Sequence, residues 1–202
     1  MHPFEPDPEV SFRLAEAGDA LCLGVLGTQV FLDTYATHGI RPTLAREVLL
    51  QFSAEALALR LQQPQARVVV AEREGHLIGY AQLTLGATQS LVREAAAAEL
   101  DKLYVQRPFL GQGIGAALLH RAERLAAEQG VRVLWLTAWV HNERALGFYA
   151  RQGYEELGIT HYVFENECHE NRVFAKALTA APRKIPDDSS SGGASRPLRE
   201  ET

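Results

Sequence analysis

The chain has 202 residues, of which 47% are hydrophobic and 22% charged, proportions that suit a water-soluble globular protein with a single sizeable core. Its formal net charge of -5 gives no basis for a nucleic-acid partner, and a mildly acidic protein accommodates a cationic substrate. No apolar run reaches membrane-spanning length, and the two cysteines, Cys22 and Cys168, have neither metal-ligand nor redox spacing; the expectation is a cytoplasmic protein without disulfides, metal or membrane contact.

Residues 1–9 are acidic and proline-rich, unlike a secretory signal, and read as an extension to one domain over 10–180. A strand is expected over 10–14. Asp19 is placed to cap a helix reaching Tyr35, which Gly24 and Gly27 weaken. After the break at Gly39 and Pro42, Thr43 is a plausible cap for one helix over 43–61, which Pro64 ends. A strand over 66–73 turns at Gly75 into a hairpin partner over 76–85. The segment 86–97 has no clear pattern, though 90–98 could form a helical turn.

Residues 99–116, ELDKLYVQRPFLGQGIGA, carry the most information. A short strand (100–105) leads to a turn with Gly111, Gly113 and Gly115, then to an amphipathic helix over 113–129 that Gly130 stops. The first N–H groups of a helix have no intrahelical partners and sit at the positive end of its dipole. Glycines let a ligand approach them closely, so such an end suits a phosphate or pyrophosphate. The plainer reading is a tight strand-to-helix connection; three glycines at alternate positions before a long helix favour the anion. A P-loop is excluded, because no Gly-Lys-Ser/Thr follows. GQGIGA also fits the dinucleotide pattern G-x-G-x-x-A. However, Gln106 to Leu110 separate it from its strand, and the next strand (131–137) ends in Thr137, Ala138 and Trp139, with no acid for a ribose.

A strand over 131–137 completes a parallel strand-helix-strand unit. Asn142 caps a short helix ending at Gly153, and strands over 154–164 and 172–178 follow. The whole predicts an α/β fold with a mixed, mostly antiparallel sheet and helices on both faces. From 181 to 202, Pro, Ser, Gly, Asp and Arg predominate, and a flexible tail is expected.

The segment 99–116 resembles the acyl-CoA loop of the GNAT superfamily of N-acetyltransferases: a hydrophobic strand ending in Val, a spacer, then Arg/Gln-x-x-Gly-x-Gly/Ala. Leu110 stands where that family has Arg or Gln, and Gly113 and Gly115 take the glycine places. A second stretch, HNERALGFYARQGYEELG, is similar to the family's later motif, with Asn142, Phe148, Tyr149, Gly153 and Tyr154 in order. The resemblance spans about 11–178. It implies acetyl-CoA as cosubstrate and no metal, held by the backbone at Leu103 and Val105 and by Leu110, Gly111, Gln112, Gly113, Ile114, Gly115, Ala116, Asn142 and Phe148.

The resemblance also makes Tyr149 the acid that protonates the departing sulfur, against the alternative of a helix tyrosine with its ring in the core. Glu99 and Asp101 alternate on the central strand and share a face, so either could be the base; the alternative is a solvated strand start, and Glu99 ranks first. By the same alternation Lys102 and Tyr104 point to the opposite face without a role. His161 lines an acceptor pocket or, more simply, sits in the core. Within the superfamily the pattern is most similar to PaiA-type polyamine acetyltransferases, on Asp33-Thr34-Tyr35, His161-Tyr162 and the last strand; this gives Asp33, Tyr35 and His161 as substrate contacts.

The implied activity is acetyl transfer to a primary amine of a small molecule, with spermidine or spermine as the polyamine case, by direct attack in a ternary complex. The protein would be a monomer or homodimer. Protein N-termini, amino acids and aminoglycosides are alternative acceptors on the same fold. A non-catalytic CoA-binding module and a nicotinamide-dependent enzyme using GQGIGA are the readings from other classes.

Overall fold

In the computed structural model, residues 9–164 and 167–179 are described. The tail expected over 181–202 and residues 1–8 of the N-terminal extension lie outside the described residues. Runs of branched and aromatic residues form β1 (Val10–Leu14), β2 (Ala66–Arg73), β3 (His76–Leu85), β4 (Ala97–Val105), β5 (Val133–Trp139), β6 (Glu155–Phe164) and β7 (Glu167–Ala177). They make one sheet in the order β1-β2-β3-β4-β5-β7-β6. Every neighbouring pair is antiparallel except β4 and β5, which are joined through a helix and run parallel. This is the mixed, mostly antiparallel sheet expected from the sequence.

Helices cover both faces. On one side α1 (Ala20–Tyr35), α2 (Pro42–Phe52) and α3 (Ala54–Gln62) pack Leu23, Leu26, Val48, Phe52 and Leu57 against Val68, Val70 and Tyr80. On the other, α4 (Ile114–Glu128) and α5 (Glu143–Arg151) seal the main core, with Leu118, Leu119, Ala122 and Tyr149 against Ile78, Leu83, Leu100 and Leu134.

Several local expectations are corrected. The single helix over 43–61 is two, because Ser53 is extended (φ -62, ψ 151) and its hydroxyl accepts from the Ala56 N–H, starting α3. Pro42, not Thr43, opens α2. Asp19 stands at the N-cap position of α1 without capping it. Its carboxylate instead takes two bonds from Arg13 at 2.7 and 2.8 Å, and Arg13 also holds Glu72 on β2. Residues 90–96 form no helix, and Ala97 already opens β4.

Two departures from regularity in β4 position the site. The ladder with β5 covers Ala97↔Val133, Ala98↔Leu134 and Glu99↔Trp135, after which the strands part. Against β3, Gln82 faces Lys102 and Leu83 faces Leu100, so Asp101 is an extra, bulged residue. The bulge resets the alternation. Lys102 and Tyr104 therefore lie on the α1–α3 side with Asp101, not on the opposite face: the Lys102 ammonium stands 5.7 Å from the Phe52 ring centre, and Tyr104 packs on Tyr80 and Phe52.

Candidate active site

Where β4 and β5 part, two cavities open, and Trp139 lines both. The larger, about 820 Å³, is bounded by Asp33, Val105, Leu110, Trp139 and Asn142 among others. The smaller, about 260 Å³, is walled by Tyr35, Glu47, Asp101, Lys102, Tyr104 and Tyr162, with further polar groups from Arg41, His169 and Asn171.

The glycine turn stands beside the larger cavity. Gly111 and Gly113 both have φ of +79, a conformation that other residues rarely adopt, and a Cβ on either would meet nothing within 4 Å. Gly113 is the N-cap residue of α4, and among the described residues no side-chain cap bond closes that end. The N–H groups of Ile114, Gly115 and Ala116 thus have no intrahelical acceptor, and such a donor set suits a pyrophosphate. Gln112 is held by accepting from Arg73 at 2.9 Å and donating to the Pro108 carbonyl at 3.1 Å. The Phe148 ring and Val105 lie 3.9 Å from a Cβ placed on Gly115, closing the base of the turn. Beyond Glu99 the β5-facing edge of β4, including Leu103 and Val105, has no strand partner on that side among the described residues, so its backbone is available to an extended ligand arm. These features fit an acyl-CoA.

Asn142 spends its Oδ1 on the Ala145 N–H at 3.1 Å, capping α5, and also lines the larger cavity. Tyr149, on α5, is buried between Phe148 and Tyr154 in edge-to-face contacts. Burial raises its phenol well above the ordinary range, with a smaller contribution from Tyr35. Tyr35 packs on Trp139 at 5.5 Å.

Glu99 is pushed up to about 7, first by burial and then by the neighbouring Asp101 charge. Asp101 accepts from the Thr84 hydroxyl at 2.6 Å. Burial lowers the Lys102 ammonium, partly offset by Asp101.

The acceptor contacts expected from sequence do not share one cavity. Residues two apart on a helix diverge by about 200°, so Asp33 lines the larger cavity and Tyr35 the smaller. His161 is exposed on β6, which corrects its core reading, and it lines neither of these cavities; Tyr162 and His169, paired across β6 and β7, line the smaller one. Glu47, Lys102, Tyr104 and Trp139 escaped sequence reasoning. The amphipathic pattern of α2 could have suggested Glu47, but no linear pattern marks a bulge. Among the described residues, no group of three or more His, Cys, Asp or Glu could hold a metal ion, and no helix is long and apolar enough to cross a membrane.

Comparison with known proteins agrees with this geometry. Residues 36–154 match the model of the acetyltransferase (GNAT) family. An uncharacterized N-acetyltransferase of Mycobacterium bovis is 32% identical over 122 residues, covering 58% of this chain and 74% of that protein. Another from Lactobacillus delbrueckii subsp. lactis is 24% identical over 153 residues, covering 76% and 88%. Among solved structures, PaiA N-acetyltransferase from Thermoplasma acidophilum in complex with coenzyme A superposes with a TM-score of 0.65 at 19% identity, over 84% of this chain and 99% of that one, a likeness of fold. With the family model spanning over half of its length, the chain belongs to the acetyltransferase (GNAT) family.

Proposed function

We propose that the protein transfers an acetyl group from acetyl-CoA to the primary amine of a small substrate, by direct attack in a ternary complex. The observation that carries the reading is the gap between β4 and β5, with an uncapped helix end on one side and a cavity holding ionisable groups on the other. The N–H groups of α4 would hold the pyrophosphate, and the free edge of β4 at Leu103 and Val105 the pantetheine arm. Backbone donors there would polarise the thioester carbonyl, a type of contact typically worth about 3 kcal/mol of barrier.

The acceptor must arrive as a free amine. Glu99, poised near 7, takes the proton of the ammonium. The amine nitrogen then bonds to the carbonyl carbon, the carbon–sulfur bond breaks, Tyr149 gives its proton to the sulfur, and the second proton that the bonded nitrogen sheds restores the Tyr149 phenol through solvent. Burial favours the neutral phenol, so Tyr149 stays loaded as a donor throughout the neutral range. Cys22 and Cys168 are exposed and lie outside the glycine turn and the Asn142–Tyr149 segment, which favours direct transfer over a cysteine-bound intermediate.

Acetyl-CoA turnover across a panel of amines, read as release of free CoA, tests the proposal; no release with any amine would overturn it. Spermidine and spermine belong in the panel because Glu47 and Asp101 would attract a cation. Lys102 in the same wall favours an acceptor with fewer positive charges. The protein would act in the cytoplasm, as monomer or homodimer.

A further inference from the structure

We propose that Lys102 selects the acceptor by receiving a carboxylate on it, so that the amine substrate is an amino acid or a closely related amino carboxylate. The inference rests on the acetyl-transfer reading and names the substrate class of that same site.

Three observations carry it. First, Lys102 lines the smaller cavity, and among the described residues it has no hydrogen bond and no ion pair within 4 Å; its close contact is the face of Phe52. An ammonium has three donors, and leaving them without acceptors in a half-buried wall is costly. Burial accordingly lowers its proton affinity more than the surrounding acids raise it.

Second, among the described residues none of the nearby carboxylates stands within ion-pair distance of Lys102, and each is oriented elsewhere or partly neutral. Asp101 accepts from Thr84, and Glu47 accepts from Gln51 and from the Tyr162 hydroxyl at 3.2 Å. Glu99, poised near 7, is about half protonated at neutral pH. The acceptor for Lys102 is therefore left for a ligand to supply.

Third, the wall carries both signs, with Lys102 beside Asp101 and Glu47. A polyamine would bring a further positive charge against Lys102, whereas a zwitterion meets both signs. The bulge puts Asp101 and Lys102, whose Cα atoms are about 3.8 Å apart along the chain, on the same side of the sheet. An ammonium near Asp101 and a carboxylate near Lys102 match the short span between the two groups of one amino acid.

The test uses matched acceptors: the common amino acids, their amides, and spermidine, each assayed by CoA release. The wild type should prefer the best amino acid over its amide by about tenfold or more in kcat/KM, because the amide leaves the ammonium unpaired. Lys102→Met should bring that ratio to within about threefold, through KM for the amino acid, while the acetyl-CoA Kd stays unchanged. Lys102→Arg should keep the preference. Wild-type turnover that is equal for amide and acid, or best with spermidine, would overturn the role of Lys102 and leave acetyl transfer intact. No CoA release with any amine would instead overturn the acetyl-transfer reading. Should Lys102→Met fail to bind acetyl-CoA, Lys102→Gln and the wild-type ratio decide.

Discussion

The Thr84 hydroxyl donates to Asp101 Oδ2 at 2.6 Å, and this contact separates the two acids of β4. Asp101 is fixed in place by its neighbour strand. Glu99, one turn of the pleat away, has no side-chain hydrogen bond among the described residues and is pushed up to about 7 by burial and by Asp101. Glu99 is thus the better proton acceptor near neutrality. The wild-type kcat/KM should rise with pH through about 7. Glu99→Gln should lose roughly 10²-fold at pH 6–7, with partial recovery as free amine becomes abundant at higher pH. Asp101→Asn should lose less and keep the acid limb. A profile in which Asp101→Asn erases that limb and Glu99→Gln keeps it would reassign the base.

The same carboxyl has a stability consequence. Its proton affinity is raised on folding, from the ordinary 4.5 to about 7. Between those values the folded chain binds the proton and the unfolded chain does not, so Glu99 makes stability fall as pH rises through this window. A full shift of that size would correspond to about 3 kcal/mol, and partial solvent access reduces it to about 1–2. Glu99→Gln should therefore unfold at a higher denaturant concentration than wild type at pH 8, and show no such gain at pH 4. Equal midpoints at both pH values would mean that Glu99 is not strained by burial.

At Gly113 the backbone conformation and the open space make separate demands. The positive φ costs an ordinary residue about 1–2 kcal/mol, whereas Asn tolerates it. Gly113→Asn should thus fold and bind acetyl-CoA within a few-fold of wild type. Gly113→Asp, nearly the same shape, sets a negative charge at the helix end and should weaken acetyl-CoA by at least about tenfold. Isothermal titration of the pair checks this, and equal affinities would remove the turn from the pyrophosphate site.

Gly24, read from the sequence as a weakness of α1, is where α1 and α2 cross. A Cβ there would lie 2.3 Å from the Phe52 carbonyl oxygen, a backbone atom that cannot swing aside. Gly24→Ala should lower stability by about 3 kcal/mol in spite of its better helix propensity. Chemical denaturation measures it, and a stabilised variant would mean that the two helices can move apart.

These cases show which features were legible in the sequence. The order of strands and helices, the β4–turn–α4 connection and the Asn142 cap depend on spacings of a few residues, and short-range pattern captures them. Gly24 misleads because its partner, Phe52, is remote in sequence. Strict alternation puts Lys102 and Tyr104 on the wrong face, because a single bulged residue, Asp101, inverts it for everything after. The resemblance gives His161 as a substrate contact, whereas its neighbour Tyr162 lines the smaller cavity. β6 shifts register between Glu156 and Gly158, and only the β7 partner determines which side chain faces the cavity.

The proton route to sulfur can be tested at Tyr149. Tyr149→Phe keeps the ring that packs on Phe148 and Tyr154 and removes the hydroxyl alone, so melting temperature should change little. The thiolate would then leave without its donor, and turnover should fall roughly 10²-fold while acetyl-CoA affinity stays within a few-fold. The pH dependence separates this lesion from that of Glu99. Burial raises the Tyr149 phenol well above its ordinary range, so the wild-type donor remains protonated through neutral pH and its removal lowers the profile uniformly. Raising the pH supplies free amine, which helps Glu99→Gln; it supplies no proton to the sulfur and should not help Tyr149→Phe. An acetyl donor with a more acidic thiol leaving group should partly restore Tyr149→Phe, since such a thiolate departs without protonation. If Tyr149→Phe keeps full turnover from pH 6 to 9 with acetyl-CoA itself, the sulfur takes its proton from water or another group, and Tyr149 serves the packing of α5 alone.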